Sequence, residues 1–385
     1  MLIGIDGNEA NEVRGDIGAK AGVNIYAYEI LWGIYKESMR RKLKNDYIIY
    51  LKTPPIDLPP EKSFWRYHVI SGGGLWVIRK LMPTLLIRTK PDVFFSPNHY
   101  LPPISTMPKV ITIHDLGYLK FSEQFNKYDY WQLKYWTAIS ISISKYIISV
   151  SESTKQDIVR HYPRASKKIH VVHHGYDKSR FNFNVSPDDV RRIRKRYKLS
   201  SNEYLLFLST LKPSKNIIGL LEAFKLFLIS SKEKQLILVI AGKRGWMYKE
   251  IYKKVTDLKL GKKVVFTDFV TENDKPALLK GAKVLISPSF WEGFGLHILE
   301  ALACGTPVIV SRVASVPEVA GDAGIYVNPE STESISSAIQ RVLAMNEVEY
   351  GKLAKKCLSQ AGKFSWKVSA QKTLNILEKA ANGDF

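Results

Sequence analysis

The stretch from Lys283 to Ser311 does most to limit what this chain can fold into. Lys283-Val-Leu-Ile-Ser287 is a short apolar run with the length of a buried strand, and Pro307-Val-Ile-Val-Ser311 is a second. Between them lie a turn-forming segment and a helix of modest length, marked by the apolar positions Leu296, Leu299 and Leu302/Ala303. Two apolar strands joined through one helix belong to an α/β layer structure. Gly293 and Gly295 stand just ahead of the helix, so a flexible turn opens onto a helix N-terminus, whose free amides and dipole suit an anion. Glu292 falls in that turn and Glu300 in the second helical turn. A carboxylate there can accept paired hydrogen bonds from vicinal sugar hydroxyls while the amides face a phosphate, and a ligand with both parts is a nucleotide sugar. Strand, glycine turn and helix recur in every doubly wound fold, so the glycine pair alone decides nothing; the whole string is more specific than its parts.

That string is Glu292-Gly293-Phe294-Gly295-Leu296, then Glu300-Ala-Leu-Ala-Cys-Gly-Thr-Pro-Val-Ile309. It resembles the donor-site signature of the retaining glycosyltransferases of family 4, which have the GT-B fold. The resemblance covers nearly the whole chain and is most specific from Lys212 to Leu302. It implies that Glu300 holds the nucleotide ribose and Glu292 the donor sugar, with the amides around Gly293, Phe294, Gly295 and Leu296 at the phosphates.

The same alternation of strand and helix runs through the rest of the chain. Leu2–Asp6 reads as the first strand, 8–22 as a loop rich in Gly, Asn and charge, and the segment from Gly22 to about Tyr35 as a helix. In the family the matching loop carries a glycine-rich phosphate contact; here the pattern loosens to Ala-Gly22-Val-Asn, and Gly22 is the residue it implies. Strands follow at 47–51 and 67–70, a helix at 75–89, and strands at 92–96 and 109–114. The last ends in His114 and Asp115, at the carboxyl end of a strand, where open parallel sheets bind ligands. A histidine there can be a loop residue with satisfied hydrogen bonds; the resemblance, in which a His-Asp pair lies by the donor sugar, favours a catalytic reading. The aromatic stretch 118–136 can stack on sugar rings, line an acceptor groove or be core. A second block starts at Tyr204, and its first strand leads into Lys212-Pro-Ser-Lys215-Asn216. Two lysines in a strand-to-helix loop suit a diphosphate that gains charge as it leaves. Lys215-Asn216 matches the family's Lys-Asn. Lys212 stands where the family usually has Arg, and an ammonium lacks the bidentate fork of a guanidinium.

Two such blocks in 385 residues predict two doubly wound, Rossmann-like α/β domains facing across a cleft, at 1–178 and 179–365, with a helix at 366–385 crossing back to the first. The formal charge of +21 suits anionic partners. Nucleic acid is one such partner, but the cations form scattered clusters without a recognition motif, so no nucleic acid is expected. A protein that binds a nucleotide sugar without turnover is the other alternative; Glu292, Glu300, Lys215 and His114 together argue against it. Cys304 and Cys357 build no disulfide framework, and the N-terminus lacks a signal-peptide pattern, which points to the cytoplasm. No apolar run nears the roughly 20 residues of a spanning helix. Leu75, Trp76, Leu81 and Leu85, with Arg40, Arg41, Lys42, Lys44, Arg79, Lys80, Arg88 and Lys90, suggest instead a peripheral contact with an anionic inner membrane face. No Asp-x-Asp pair occurs, so cations and helix dipoles rather than a metal are expected at the diphosphate. The resulting expectation is a metal-independent retaining hexosyltransferase without a cofactor. It takes mannose or glucose from a GDP- or UDP-linked donor to a glycan or lipid-linked acceptor in surface polysaccharide assembly.

Overall fold

The computed structural model describes residues 1–11, 22–41, 45–199, 203–231 and 235–383. The chain separates into two compact units, Met1–Gly175 with Ser365–Phe385, and Tyr176–Phe364.

The strands of the first unit are β1 Leu2–Asp6, β2 Asp46–Leu51, β3 Trp65–Val69, β4 Val93–Ser96, β5 Lys109–Ile113, β6 Tyr146–Ser149 and β7 Ile169–Val171. They pair in parallel in the order β3-β2-β1-β4-β5-β6-β7. Every residue of β4, β5 and β6 is buried, which is why these strands read as continuous apolar runs: helices cover both faces of the sheet. The winding reverses between β1 and β4, and loops after the strands flanking such a reversal border a binding crevice.

The helix Gly22–Arg41 runs a turn and a half beyond the expected end, because Glu37 and Ser38 are buried on its inner side and Glu37 accepts from Arg40 and Arg41. The C-terminal helix Trp366–Asn382 packs along it. Gly33 makes the approach possible: a Cβ there would meet the Ala370 methyl at 2.5 Å. Gln371 adds a hydrogen bond to Glu37, and Asn45 one to Glu378.

Three local expectations are corrected. The segment expected as a loop from Asn8 begins with a helical turn, Asn8–Asn11, capped by the Asp6 carboxylate; residues 12–21 lie outside the described residues. The expected helix at 75–89 is two π-helical segments, Val77–Leu81 and Thr84–Thr89, on either side of Pro83, which has no amide to give and whose ring crowds the preceding turn. Within it Trp76, Leu81 and Leu85 are buried and Trp76 donates to the Ile70 carbonyl at 2.6 Å, so three of the four apolar residues expected to touch a membrane are core instead. Lys42 and Lys44 lie outside the described residues.

The second unit holds β8 Tyr204–Leu208, β9 Ile237–Ala241, β10 Val264–Asp268, β11 Val284–Ser287, β12 Val308–Ser311 and β13 Gly324–Val327, in the parallel order β10-β9-β8-β11-β12-β13. Here the winding reverses between β8 and β11. Those are the two strands whose following loops carry Lys212, Lys215 and Glu292.

Candidate active site

After β8 the chain passes through Lys212 into a single 3-10 turn, Pro213–Lys215, and Asn216 takes a left-handed conformation (φ 53°, ψ 42°) before the helix Ile217–Ser230. Asparagine tolerates that region better than most residues, and its amide donates to the Pro329 carbonyl at 2.7 Å. After β11 the loop 288–295 ends at Gly295, whose φ of 91° turns the chain into the helix Leu296–Ala303. The Phe290 amide donates to the Ser214 carbonyl at 2.9 Å and ties the two loops together.

This tie brings Lys215 against Glu292. Lys215 Nζ lies 2.6 Å from Glu292 Oε2, with the two side chains 10% and 7% exposed. The other carboxylate oxygen accepts from Ser289 Oγ at 2.8 Å, and the Glu292 carbonyl accepts from Ser315 Oγ at 2.8 Å. His297 Nε2 is 3.9 Å from Glu292 Oε1 and 2.9 Å from Ser287 Oγ. Burial works against ionisation of Glu292, but the Lys215 charge, with His297 and Ser289 behind it, outweighs burial and holds the carboxyl down at about 2. Burial pushes His297 down to about 4 despite Glu292, so its ring is neutral at pH 7.

Glu300 projects from the same helix and is buried. Burial pushes its carboxyl up to about 7; Lys275 opposes this and Glu272 adds to it. Lys275 is held above its ordinary value although burial works to lower it, because Glu300 and Glu272 both face it. The two shifts pull in opposite senses, one asking for a proton on Glu300 and the other for a strong ion pair. Distance decides between them: Lys275 lies 2.5 Å from Glu272 and 3.9 Å from Glu300, so Glu272 takes most of the compensation and the upward direction for Glu300 holds.

At the start of the helix Leu296–Ala303 the Ile298 and Leu299 amides are bonded to the Gly295 carbonyl, so the helical ladder begins there and the turn before it carries the positive end of the dipole. The Phe294 ring packs edge-on to Phe364, 5.8 Å between centroids, and is buried, which leaves Phe294 only its backbone to offer a ligand. Lys212 is half-buried, and its carbonyl closes the 3-10 turn by accepting from the Lys215 amide.

In the first unit His114 follows β5 and is buried. Its Nε2–H donates to the Pro97 carbonyl at 2.9 Å, which leaves Nδ1 as the acceptor of a neutral ring. Its amide donates to His99 Nε2 at 3.0 Å, and the two rings lie parallel, 5.9 Å apart. Tyr26 meets His114 edge-on and stacks on His174. Burial lowers the pKa of all three histidines. Asp115 uses one carboxylate oxygen to accept from the Gly117 amide at 2.7 Å, holding the turn that follows. Gly22 is the exposed first residue of its helix.

Sequence reasoning therefore named Lys215, Glu292, Glu300, His114 and Asp115 but passed over Ser287, Ser289, His297, Lys275, His99 and His174 as site residues. Ser289 stands three residues before Glu292 and His297 five after it, inside the stretch from Lys283 to Ser311, so both were within reach of a local reading. Lys275 and His99 meet their partners only through the fold.

The family model for glycosyl transferases group 1 matches residues 189–363, and that for glycosyltransferase family 4 matches residues 41–180. The O-antigen chain mannosyltransferase B of Escherichia coli is 31% identical over 287 residues, 74% of each chain. This protein belongs to the family. It is a glycosyltransferase. The serotype-specific mannosyltransferase WbdA of Escherichia coli is 27% identical over 221 residues; that match takes in 57% of this glycosyltransferase and 27% of the much longer relative. Among solved structures, Anabaena HepE in complex with UDP-glucose superimposes with a TM-score of 0.74 over 98% of this chain and 99% of that one, at 17% identity. The last likeness is one of fold: two Rossmann-like domains of the GT-B type. Among the described residues no helix is long and apolar enough to cross a membrane.

Proposed function

We propose that this glycosyltransferase moves a hexose, mannose first and glucose second, from a GDP- or UDP-linked donor to a glycan or lipid-linked acceptor in surface polysaccharide assembly, retaining the anomeric configuration. The observation that carries the reading is the buried Lys215–Glu292 pair beside the N-terminus of the helix Leu296–Ala303. A nucleoside-diphosphate sugar has a use for each part. The backbone of Gly293, Phe294, Gly295 and Leu296 suits the diphosphate, with Lys215 and Lys212 as its cations; Gly22 is a further phosphate contact by the family resemblance alone. Glu292 accepts from the donor sugar's hydroxyls and Glu300 from those of the ribose. His114, neutral with Nδ1 free of a proton, accepts from a further sugar hydroxyl, and Asp115 fixes the turn that presents it.

In the reaction the acceptor hydroxyl oxygen bonds to the anomeric carbon on the face from which the diphosphate oxygen departs. The hydroxyl proton passes to that departing oxygen, and the growing negative charge is met by lysine ammoniums and helix amides. The Lys215 charge is already ordered against Glu292, so it needs little rearrangement to meet the leaving group. No cofactor and no metal enters this scheme, and the absence of any Asp-x-Asp pair from the sequence supports that part. Mannose is placed first because two of the related proteins are named mannosyltransferases. Work at the inner face of a membrane follows from a lipid-linked acceptor.

Turnover of a panel of nucleotide sugars with a synthetic lipid-linked mannoside tests the reading, the product's anomeric configuration being read by NMR. Transfer with retention is the expected result. Tight donor binding without transfer would leave a binding protein, and an inverted product would remove the same-face mechanism.

A further inference from the structure

His114 is tied at three points, and two of the ties come from one loop. β4 and β5 are sheet neighbours, so the residues that follow Ser96 and those that follow Ile113 leave the sheet side by side. β5 ends at Ile113, and the His114 amide, just past the strand, finds its partner in a side chain: His99 Nε2 accepts from it at 3.0 Å. Two residues before His99, the Pro97 carbonyl accepts from the Nε2–H of the His114 ring. The rings of His99 and His114 are parallel to within 4°. The third tie comes from the helix Glu152–His161, where Thr154 Oγ1 donates to the His114 carbonyl at 3.2 Å. The loop 97–101 is itself braced. Asn98 Oδ1 accepts from Ser96 Oγ at 2.8 Å and from the Tyr100 amide at 3.1 Å, while Leu101 is held through its amide by Ser140 and through its carbonyl by Trp136.

We propose that His99 is a positioning residue for sugar transfer: it holds the His114 backbone while Pro97 holds the His114 ring, and together they fix the direction in which His114 Nδ1 points. An acceptor at Nε2 requires that the proton of neutral His99 sit on Nδ1, and that nitrogen faces Thr137 Oγ1, 3.5 Å away on the buried side of the helix Lys127–Ile143. His99 and His114 therefore carry opposite tautomers. Burial, with His114 beside it, lowers His99 to about 4 against the pull of Asp115, so the ring remains an acceptor near neutrality. A protonated ring would turn a second N–H on the His114 amide and break the tie. Without the tie the imidazole loses its aim, and a misplacement on the order of 1 Å costs about a hundredfold in rate. The inference rests on the reading of His114 as the group that meets the donor sugar.

Two amide side chains of different length separate reach from polarity. His99→Gln sets an oxygen where Nε2 stands and should keep most of the turnover. His99→Asn stops short of the His114 amide and should lower kcat by about tenfold to a hundredfold, with nucleoside-diphosphate affinity unchanged because Lys215, Glu292 and Glu300 lie in the second unit. If His99 acts through His114, His99→Asn/His114→Ala should be no slower than His114→Ala alone. Long-range proton–nitrogen NMR of the imidazoles gives a readout apart from turnover. The parent should show single, opposite tautomers for His99 and His114; His99→Gln should keep the Nε2–H form of His114 and His99→Asn should lose it. A kcat equal to the parent's in His99→Asn, additive losses in the double variant, or a His114 spectrum unmoved by His99→Asn would overturn the proposal. Full turnover in His114→Ala would remove the sugar contact assigned to His114, and the role of His99 in transfer with it, while the spectra would still report the tie.

Discussion

Replacing Lys215 by Met keeps the length of the side chain and removes its charge, leaving Glu292 in a site with Ser289 and His297 but no cation at 2.6 Å. The size of the effect follows from the titration of Glu292. Holding a buried carboxyl at about 2 rather than its ordinary value amounts to about 3 kcal/mol of stability at pH 7. That contribution is full above the unfolded glutamate pKa and is lost as pH falls toward 2. In Lys215→Met the sign reverses. Burial alone raises Glu292, so the variant is most stable below the ordinary glutamate value and loses stability as pH rises through the folded one. Melting temperatures at pH 7 should therefore differ by roughly 6–12 °C, given 2–4 °C per kcal/mol for a domain of this size. The gap should narrow as pH falls through the ordinary glutamate value and close only toward 2. Lys215→Met/Glu292→Gln should recover much of the stability, since the stranded charge is gone, yet none of the turnover. Thermal melts across pH, fitted as a double-mutant cycle beside donor kinetics, measure all of this. Equal melting temperatures for parent and Lys215→Met at pH 7, or a gap that does not change with pH, would refute the claim that this ion pair sets the state of Glu292.

Glu300→Gln should weaken nucleoside-diphosphate binding by about 1.5–3 kcal/mol in calorimetry, the value of a charged acceptor, and an unchanged Kd would cancel the ribose assignment. Because burial raises Glu300, its ionised form grows as pH rises, so the parent should bind the nucleoside diphosphate more tightly at pH 8 than at pH 6 and Glu300→Gln should not; the same raised carboxyl stabilises the fold below the ordinary glutamate value and loses that contribution as pH rises through about 7. Gly295→Ala should lower stability by about 1–2 kcal/mol because φ is 91° there, and should slow turnover by tilting the helix amides; a variant that melts with the parent would remove the strain argument. Turnover should survive EDTA, and loss of activity restored by magnesium or manganese would show that a metal serves the diphosphate.

The stretch from Lys283 to Ser311 announced its own structure because every signal in it is local. An apolar strand, a glycine able to take positive φ, and a helix with Glu300 on its second turn are properties of neighbouring residues, and all appear where the residues place them. Lys215 and Glu292 were legible as separate candidates for the same reason, each following an apolar strand. The amino-acid sequence does not hold their distance. Seventy-odd residues apart, they meet because β8 and β11 are sheet neighbours across the reversal and the Phe290 amide ties their loops. Titration is likewise a tertiary property: the two glutamates of one short signature are driven in opposite directions, Glu292 by a lysine in contact and Glu300 by burial with its lysine shared. Burial also decided the surface. Trp76, Leu81 and Leu85 and the rings of the Lys127–Ile143 helix are alike in that large apolar side chains alternate with cations, Arg79, Lys80 and Arg88 in the first and Lys127 and Lys134 in the second. Only the packed sheet determines that the first group fills the core while Tyr128, Trp131 and Tyr135 face outward, because which side of a segment meets a sheet depends on what else has already covered it.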